Sequence, residues 1–376
     1  MPRFFGVAFS GQVHIPGRVG FSACEFEILL EWIRGLLGFK LARSEKYACE
    51  ATELSKTLFP NLIDIVRTAN DIDRLLIEIL RENGRAIGRD FANRTQLSEA
   101  SISRRLASLE ESKLVRVRGY VDLQDSGCNA ASLIRFSTKD APDSIAQALA
   151  LRPHFYRVAT VADQREIIAL VAVANPSMLL EEIDAVLALH PDLVIGHCSA
   201  IVGIIPPFEA RKKIDPPTKD SLEKLNTTRR SQVNANIIRT LQCDYRVTVT
   251  QIAEDAKLSS PSASAKLLEV IKMGNIRQLV LVAPHFIALS ICAQLRISVR
   301  GKIKKLAEKI GDTFKNDWVF LCLDSEQILL EIAVADEVDL HRCQQEISKI
   351  AGVTSVVCSQ YSSVFKQDFD WDSRTT

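Results

Sequence analysis

The sequence predicts an α+β protein built from two tandem units, each a winged helix-turn-helix domain followed by a βαββαβ sandwich. Three observations support this prediction. Two amphipathic helices joined by a very short turn lie near residue 97, an alternation of strand and helix patterns follows from residue 129, and both features return about 160 residues later. Because they recur together and in the same order, we treat them as one repeated unit.

The second helix of the pair lies within Leu97–Val115 (LSEASISRRLASLEESKLV). Apolar residues at steps of three and four give it one buried face, formed by Ile102, Leu106 and Leu109. The N-cap Ser98 and the opposite face can bond phosphates or base edges, through Ser98, Ser101, Arg104, Arg105 and Ser108. Such a helix after so short a turn is typical of a DNA-reading helix-turn-helix.

Further segments complete the unit. Asp71–Leu80 has a helical apolar face, and Leu114–Val121 alternates apolar and basic residues like a wing strand. From Asn129 onward the patterns follow the order βαββαβ, which predicts a ferredoxin-like sandwich. The polar stretch Lys212–Gln232 contains Pro216–Pro217 and is typical of a linker.

The repeat needs no gaps in its helical part. A shift of 161 positions places eight identical residues of 80–106 on 241–267, and it carries VAVAN (171–175) onto IAVAD (332–336). We therefore expect six segments. They are an N-terminal extension at 1–69, helix-turn-helix domains at 70–122 and 232–283, sensing sandwiches at 129–209 and 286–368, and a linker at 210–231.

Composition sets limits on the function. The net charge of +1 gives no global signal for nucleic acid, so a DNA site must be a local patch. No apolar run approaches the roughly 20 residues of a membrane span. The nine cysteines show no C-x-x-C pair, which favours buried thiols in a reducing cytoplasm.

Short motifs connect the first unit to a known family. They are Asp71-Ile72-Asp73, Gly84-Arg85, Leu97-Ser98, and Arg105 with Leu109-Glu110-Glu111. With the repeated sandwich, these residues resemble the Lrp/AsnC (feast/famine) family of transcriptional regulators over residues 70–209 and 232–368. The resemblance implies binding of double-stranded DNA, a sandwich that senses a small-molecule effector, and pairing of sandwich domains.

The sequence also departs from the family pattern. The family usually has Gly after the recognition helix, where a left-handed cap favours it; this chain has Lys113 in the first unit and Gly274 in the second. The Gly-x-x-Asp turn common in the family's effector sites is replaced by turns that begin at Ala162 and Leu323. An amino-acid effector is therefore not expected.

These observations predict a cytoplasmic DNA-binding transcriptional regulator that is not an enzyme and needs no cofactor or metal. The histidines lack metal-ligand spacing, and the chain has no nucleophile elbow. Phosphate contacts are expected from the first unit, at Arg85, Arg94, Arg116 and Arg118. The second helix-turn-helix offers Ser259, Ser262 and Lys266 but has Glu254 and Asp255 beside them, so we expect its DNA affinity to be lower.

The tandem sandwiches are expected to pack together as an intramolecular pseudo-dimer, which can assemble further into a homo-oligomer. Two alternatives stay open. Sirohaem decarboxylases resemble this architecture and would use His154, Tyr156 and Arg157 (HFYR), although their Asn-x-Trp-Phe stretch is missing here. The chain could also be an assembly scaffold that does not bind DNA, since an amphipathic helix with two arginines is more often a solvated surface.

Overall fold

The computed structural model describes residues 68–123, 125–162, 164–211, 232–274 and 276–367. The expected N-terminal extension, apart from its last two residues, lies outside these ranges. So does the expected linker, apart from residues 210 and 211. We call residues 68–211 the first half and residues 232–367 the second half. No helix in these ranges is long and apolar enough to cross a membrane.

The first half begins with three helices and a strand. These are α1 (Asp71–Glu82), α2 (Gly88–Thr95), α3 (Glu99–Glu111) and β1 (Val115–Tyr120). A capping box starts α1, because Asn70 accepts from the backbone N–H of Asp73 at 3.0 Å and the Asp73 carboxylate accepts from that of Asn70 at 3.2 Å. Ser98 caps α3 as the sequence predicted.

The first half continues with six elements in the order βαββαβ. They are β2 (Ala130–Ser137), α4 (Pro142–Ala150), β3 (Phe155–Val161), β4 (Glu166–Val173), α5 (Pro176–Leu189) and β5 (Val194–Ile205). The strands β2 to β4 are buried along nearly their whole length. A short 3₁₀ turn, Phe208–Ala210, follows β5.

The second half has the same order of elements. Its helical part is α6 (Gln232–Cys243), α7 (Val249–Ala256), α8 (Ser260–Lys272) and β6 (Arg277–Val282). The rest is a 3₁₀ turn (Pro284–Ile287), β7 (Ile291–Val299), α9 (Ile303–Thr313), β8 (Trp318–Cys322), β9 (Ile328–Val334), α10 (Glu337–Ser348) and β10 (Val353–Gln367).

The wing strands of the two halves pair with each other. β1 and β6 form an antiparallel ribbon of six residue pairs, from Val115↔Val282 to Tyr120↔Arg277. One face of the ribbon, with Val117 and Val280, packs into a core that α1–α3 and α6–α8 share. The other face, with Tyr120, packs on the barrel described next. The two helix-turn-helix segments, expected as separate domains, therefore form one helical body with one core.

The eight remaining strands form one closed barrel, in the order β10-β3-β4-β2-β5-β8-β9-β7. This corrects the prediction of two ferredoxin-like sandwiches, although the α+β class is confirmed. The reason is the length of β5 and β10. β5 pairs with β2 through residues 194–200 and with β8 through 201–205, and β10 pairs with β7 through 353–360 and with β3 through 361–367. Each long strand leaves its own half and closes the barrel on the other.

Three layers of apolar packing result. Helices α4 and α5 cover the outer face of the first half's strands, and α9 and α10 cover that of the second half. The barrel interior holds an apolar cluster that includes Leu133, Leu170, Trp318 and Phe320. Tyr120 of the ribbon meets Trp318 edge to face at 5.6 Å between ring centroids, so the helical body is anchored to the barrel interior.

The second residue after each third helix (α3 and α8) has a left-handed backbone. Lys113 has φ of 57°, and Gly274 has φ of 70°. A left-handed backbone is unfavourable for a residue with a Cβ, whereas Gly adopts it readily. The first half therefore carries strain that the second half avoids.

We expect Lys113→Gly to raise the free energy of unfolding by about 0.5–1 kcal/mol, because it relieves this strain at a small cost in chain entropy. Gly274→Ala should lower it by about 1 kcal/mol through backbone conformation alone, since nothing lies within 4 Å of the added Cβ. Urea unfolding of both variants measures the two changes. If both substitutions changed the free energy of unfolding in the same direction and by the same amount, the assignment of backbone strain to Lys113 would be wrong.

Candidate functional site

The exposed edge of the first helix-turn-helix is the N-terminal part of α3 with the start of α2. Ser98 accepts from the backbone N–H of Ser101 at 3.3 Å and donates to its hydroxyl at 2.9 Å, so both side chains serve the cap. Arg104 and Ser108 lie exposed on α3. Arg89, which the sequence analysis did not single out, is exposed next to Gly88, where an added Cβ would lie 2.6 Å from Glu99. Arg89 therefore lies beside the start of α3.

Arg105 has a structural partner. Its Nε donates to the Asp73 carboxylate at 2.6 Å, and its Nη2 donates to the Asn70 side chain at 2.7 Å. The hydrogen bond to Asp73 raises the pKa of the guanidinium. Asp73 is only 2% exposed, so the pair ties α3 to the start of α1. Arg105 thus has a structural role in the fold, and its contact in the major groove stays a prediction.

Arg85 and Arg246 form a reciprocal clasp between the two halves. Arg85 donates to the backbone carbonyls of Tyr245 and Val247, the latter at 2.8 Å. Arg246 donates to those of Gly84 and Ala86 at 2.9 and 3.2 Å. Burial lowers the pKa of both guanidinium groups. Arg85 therefore joins the two halves of the helical body, and its contact with a phosphate stays a prediction.

The other predicted phosphate contacts lie in two places. Arg94 is exposed and pairs with Glu82 at 2.7 Å, a surface ion pair that a phosphate can replace. Arg116 and Arg118 lie opposite Leu281 and Leu279 in the ribbon, so they share the face that packs on the barrel. Arg94 thus lies on the last turn of α2, whereas the ribbon arginines are separated from the exposed edge of α3.

The second helix-turn-helix has the same serine cap as the first but lacks its exposed arginine on the third helix, where Ala265 replaces Arg104. Ser259 donates to the Ser262 hydroxyl at 2.9 Å, as Ser98 does to Ser101. Lys266 pairs with Glu269 of the same helix at 2.9 Å. Glu254 and Asp255 are exposed on α7. This surface is therefore more acidic than its counterpart in the first half.

A second polar cluster lies inside the barrel. The Arg157 guanidinium pairs with Glu331 at 2.7 Å and lies 5.0 Å from the Tyr361 ring centroid. The Glu331 carboxylate also accepts from the Tyr361 hydroxyl at 2.6 Å and from the Gln294 amide at 2.8 Å. Arg135 donates to the Gln294 carbonyl oxygen at 2.8 Å. Burial raises the pKa of Tyr361 and lowers that of Arg135, the latter with help from nearby Arg296.

The HFYR residues do not form one site. The His154 Nδ1 bonds Glu182 of α5 at 2.9 Å, and Arg152 donates to the same carboxylate at 2.7 Å. Burial opposes the charge on Glu182, but these two hydrogen bonds outweigh it and lower its pKa. His154 thus belongs to the outer helical layer, whereas Tyr156 and Arg157 face the barrel interior. The buried His154 Nε2 has no hydrogen-bond partner among the described residues.

Metal chemistry has no obvious centre in the described part of the chain, where no group of three or more His, Cys, Asp or Glu side chains is arranged to hold an ion. In the turn between β8 and β9, the carboxylate of Asp324 is bonded within the protein. It accepts from the backbone N–H of Glu326 at 2.7 Å and contacts His197 of β5 at 3.2 Å. It therefore links the halves.

The chain is similar to proteins of two kinds. No protein-family model matches it. It is 24% identical over 138 residues to an uncharacterised HTH-type transcriptional regulator of Pyrococcus horikoshii, a match that covers 36% of this chain and 87% of the relative. The crystal structure of the siroheme decarboxylase NirDL matches with a TM-score of 0.52 and 12% identity, over 80% of this chain and 96% of that one. The structure of NirDL in complex with an iron-uroporphyrin III analogue matches with a TM-score of 0.51, again over 80% of this chain and 96% of that one.

These likenesses correct one expectation. The sequence predicted a protein that is not an enzyme, but a solved structure that shares the fold over 80% of this chain is that of an enzyme, the siroheme decarboxylase NirDL. At 12% identity this likeness shows the fold alone, whereas the resemblance to an HTH-type regulator covers about a third of the chain.

The structural role of Arg105 can be measured against its exposed neighbour. Arg105→Ala should lower the free energy of unfolding by about 2 kcal/mol, because it removes a charged hydrogen bond and leaves the Asp73 carboxylate buried without its partner. Arg104→Ala should change it by no more than about 0.5 kcal/mol, as is usual for an exposed site. Urea unfolding at pH 7 compares them, and equal values would contradict this assignment.

Proposed function

We propose that the chain is a sequence-specific DNA-binding transcriptional regulator whose DNA contacts come mainly from the first helix-turn-helix. The observation that supports this most directly is the three-helix arrangement of α1–α3, with a capped, exposed α3, in a chain that matches an HTH-type regulator over 138 residues. In such a motif the second helix of the pair enters the major groove with its N-terminal residues at the base edges. Ser98, Ser101 and Arg104 lie in that part of α3.

The charge distribution supports unequal contributions from the two halves. The first half exposes Arg89, Arg94 and Arg104 around α2 and α3. The second half exposes Glu254 and Asp255 on α7, which would meet phosphates unfavourably. The shared core and the clasp hold the two motifs in one body, so both approach DNA together and the first supplies the affinity.

The test compares Arg104→Ala with Lys266→Ala. The position equivalent to Arg104 is Ala265, and Lys266 beside it is the basic residue that the second half offers there. If Arg104 bonds a guanine edge, its loss costs about 1–3 kcal/mol, or roughly 5- to 150-fold in Kd. Lys266→Ala should leave Kd within about twofold. Fluorescence anisotropy on a fragment selected from a genomic pool, at several salt concentrations, measures both.

Arg89→Ala tests the phosphate contacts in the same assay. Its loss should weaken binding to specific and unrelated fragments alike and reduce the salt slope by about one. Equal losses from Arg104→Ala and Lys266→Ala would contradict the asymmetry. A chain that binds no genomic fragment even at low salt would contradict DNA binding itself.

The second candidate function is chemistry on a carboxylated iron tetrapyrrole. The shared fold with NirDL over 80% of the chain favours it, and the buried, unpartnered Nε2 of His154 is a group that such a ligand or reaction could use. His154 and Arg157 lie on opposite sides of β3, so a ligand that reaches one would not reach the other.

An absorption titration with iron-uroporphyrin III tests this candidate. Saturable binding at one equivalent, with a shifted Soret band that His154→Ala abolishes, would support it. An unshifted spectrum at micromolar ligand would exclude it. His190→Ala is the control, because His190 is the C-cap of α5 and follows Glu182 by eight residues.

A further inference from the structure

The barrel has a pseudo-twofold relation between its halves. A shift of 161 positions carries β2, β3 and β4 onto β7, β8 and β9, and a shift of 160 carries β5 onto β10. The strand pairing follows the same relation. Arg157 is the partner of Leu170 between β3 and β4, and the equivalent residues Trp318 and Glu331 are partners between β8 and β9.

The interior breaks this symmetry in one place. Four polar side chains meet there, Arg157, Gln294, Glu331 and Tyr361. Their equivalents in the other half are all apolar and buried: Trp318, Leu133, Leu170 and Ile201. One side of the barrel is thus a hydrogen-bonded ionic cluster, and the symmetric side is a hydrophobic core.

The cluster crosses between the halves. Arg157 belongs to the first half, and Glu331, which it contacts at 2.7 Å, belongs to the second. Two further arginines of the interior have their ion pairs within one half, Arg135 with Glu166 and Arg296 with Glu326, each at 3.0 Å. The cross-half pair of His197 and Asp324 is partly exposed. Arg157 and Glu331, each 4% exposed, therefore form a fully buried ion pair between the halves.

Pairing of two like halves would leave these charges without partners. Two first halves would bury two copies of Arg157, each facing Leu170 where the carboxylate should be. Two second halves would bury two copies of Glu331, each facing Trp318. A buried charge without its partner is strongly unfavourable, and such mismatches are how interfaces reject wrong partners.

The clasp of the helical body does not discriminate in this way. Arg85 and Arg246 are equivalent residues, and both donate to backbone carbonyls. Any pairing of halves, like or unlike, would preserve those contacts. The clasp therefore does not select the partner.

We propose that the Arg157–Glu331 pair specifies the pairing of halves, so that each half closes a barrel only with a half of the opposite kind. The partner that the first half fits is a half carrying a carboxylate at the position of Glu331, supplied within the same chain. Chains built from one kind of half are excluded as partners. This inference does not depend on what the protein binds.

Charge exchange between two full-length chains tests the proposal. One chain carries Arg157→Glu and one affinity tag, and the other carries Glu331→Arg and a different tag. Each alone places like charges in the cluster. Co-expressed, they can exchange halves, which gives one barrel with the native pair and one with the reversed pair. We expect the two chains to co-purify at least tenfold more than two differently tagged wild-type chains, as a 1:1 species by native mass spectrometry.

The control is Arg296→Glu co-expressed with Glu326→Arg. This pair lies within the second half, so exchanging halves cannot restore it, and no enrichment should appear. Co-purification of the Arg157→Glu and Glu331→Arg chains at the wild-type level would overturn the proposal. So would equal enrichment in the control.

A stability measurement covers the case in which the charge-reversed chains do not fold even together. Arg157→Leu and Glu331→Leu should each lower the Tm, on the order of 10 °C, because each leaves one buried charge unpaired. The double variant should recover most of the loss, since an apolar pair occupies the symmetric position. A double variant with additive losses would overturn the proposal.

Discussion

The pairing of β1 with β6 is the contact on which the rest of the molecule depends. The ribbon lies between two cores, with valines on one face against the helices and Tyr120 on the other against the barrel. Because side chains alternate across a strand, six residue pairs are enough to serve both cores. The ribbon also takes one strand from each half. The helical body and the barrel interior are therefore each built jointly, whereas each outer layer belongs to one half.

This joint construction explains why so many arginines have internal partners. When two helix-turn-helix motifs share a core, backbone carbonyls at their contact are withdrawn from water and need donors. Arg85 and Arg246 supply these donors, because each long side chain extends its guanidinium group to backbone carbonyls of the other half. Arg105 does the same for Asp73 at the start of α1. A charged side chain on a helix-turn-helix thus gives little evidence of DNA contact until its partners are known. Around α2 and α3, fewer arginines are exposed than the sequence contains, because Arg105 is bonded within the fold.

Local features of the fold could be predicted from the sequence because their causes are local. The α3 cap needs only Ser98, and the left-handed residue after α3 is marked by Gly274 in the equivalent position. Partners far apart in sequence left no such signal, as with Arg105 and Asp73, or His154 and Glu182. The closed barrel was missed because the strand pattern gives the length of β5 but not the point at which it changes neighbours. The identity of Arg85 and Arg246 was a usable signal, since identical residues at equivalent positions suit a reciprocal contact.

Covalent linkage of unlike halves allows the exposed surfaces of α3 and α8 to differ in sequence. In a homodimer a substitution on the recognition helix appears in both copies, so the two surfaces remain identical. Here Arg104 and Ala265 occupy equivalent positions, and the difference costs the fold nothing because both side chains are exposed. The caps at Ser98 and Ser259, by contrast, are the same because each helix needs one. Arg85 and Arg246, which join the halves of the helical body, are matched, whereas exposed positions such as Arg104 and Ala265 differ. The differences between the halves therefore lie on the exposed helix surfaces and in the polar cluster of the barrel interior around Arg157 and Glu331.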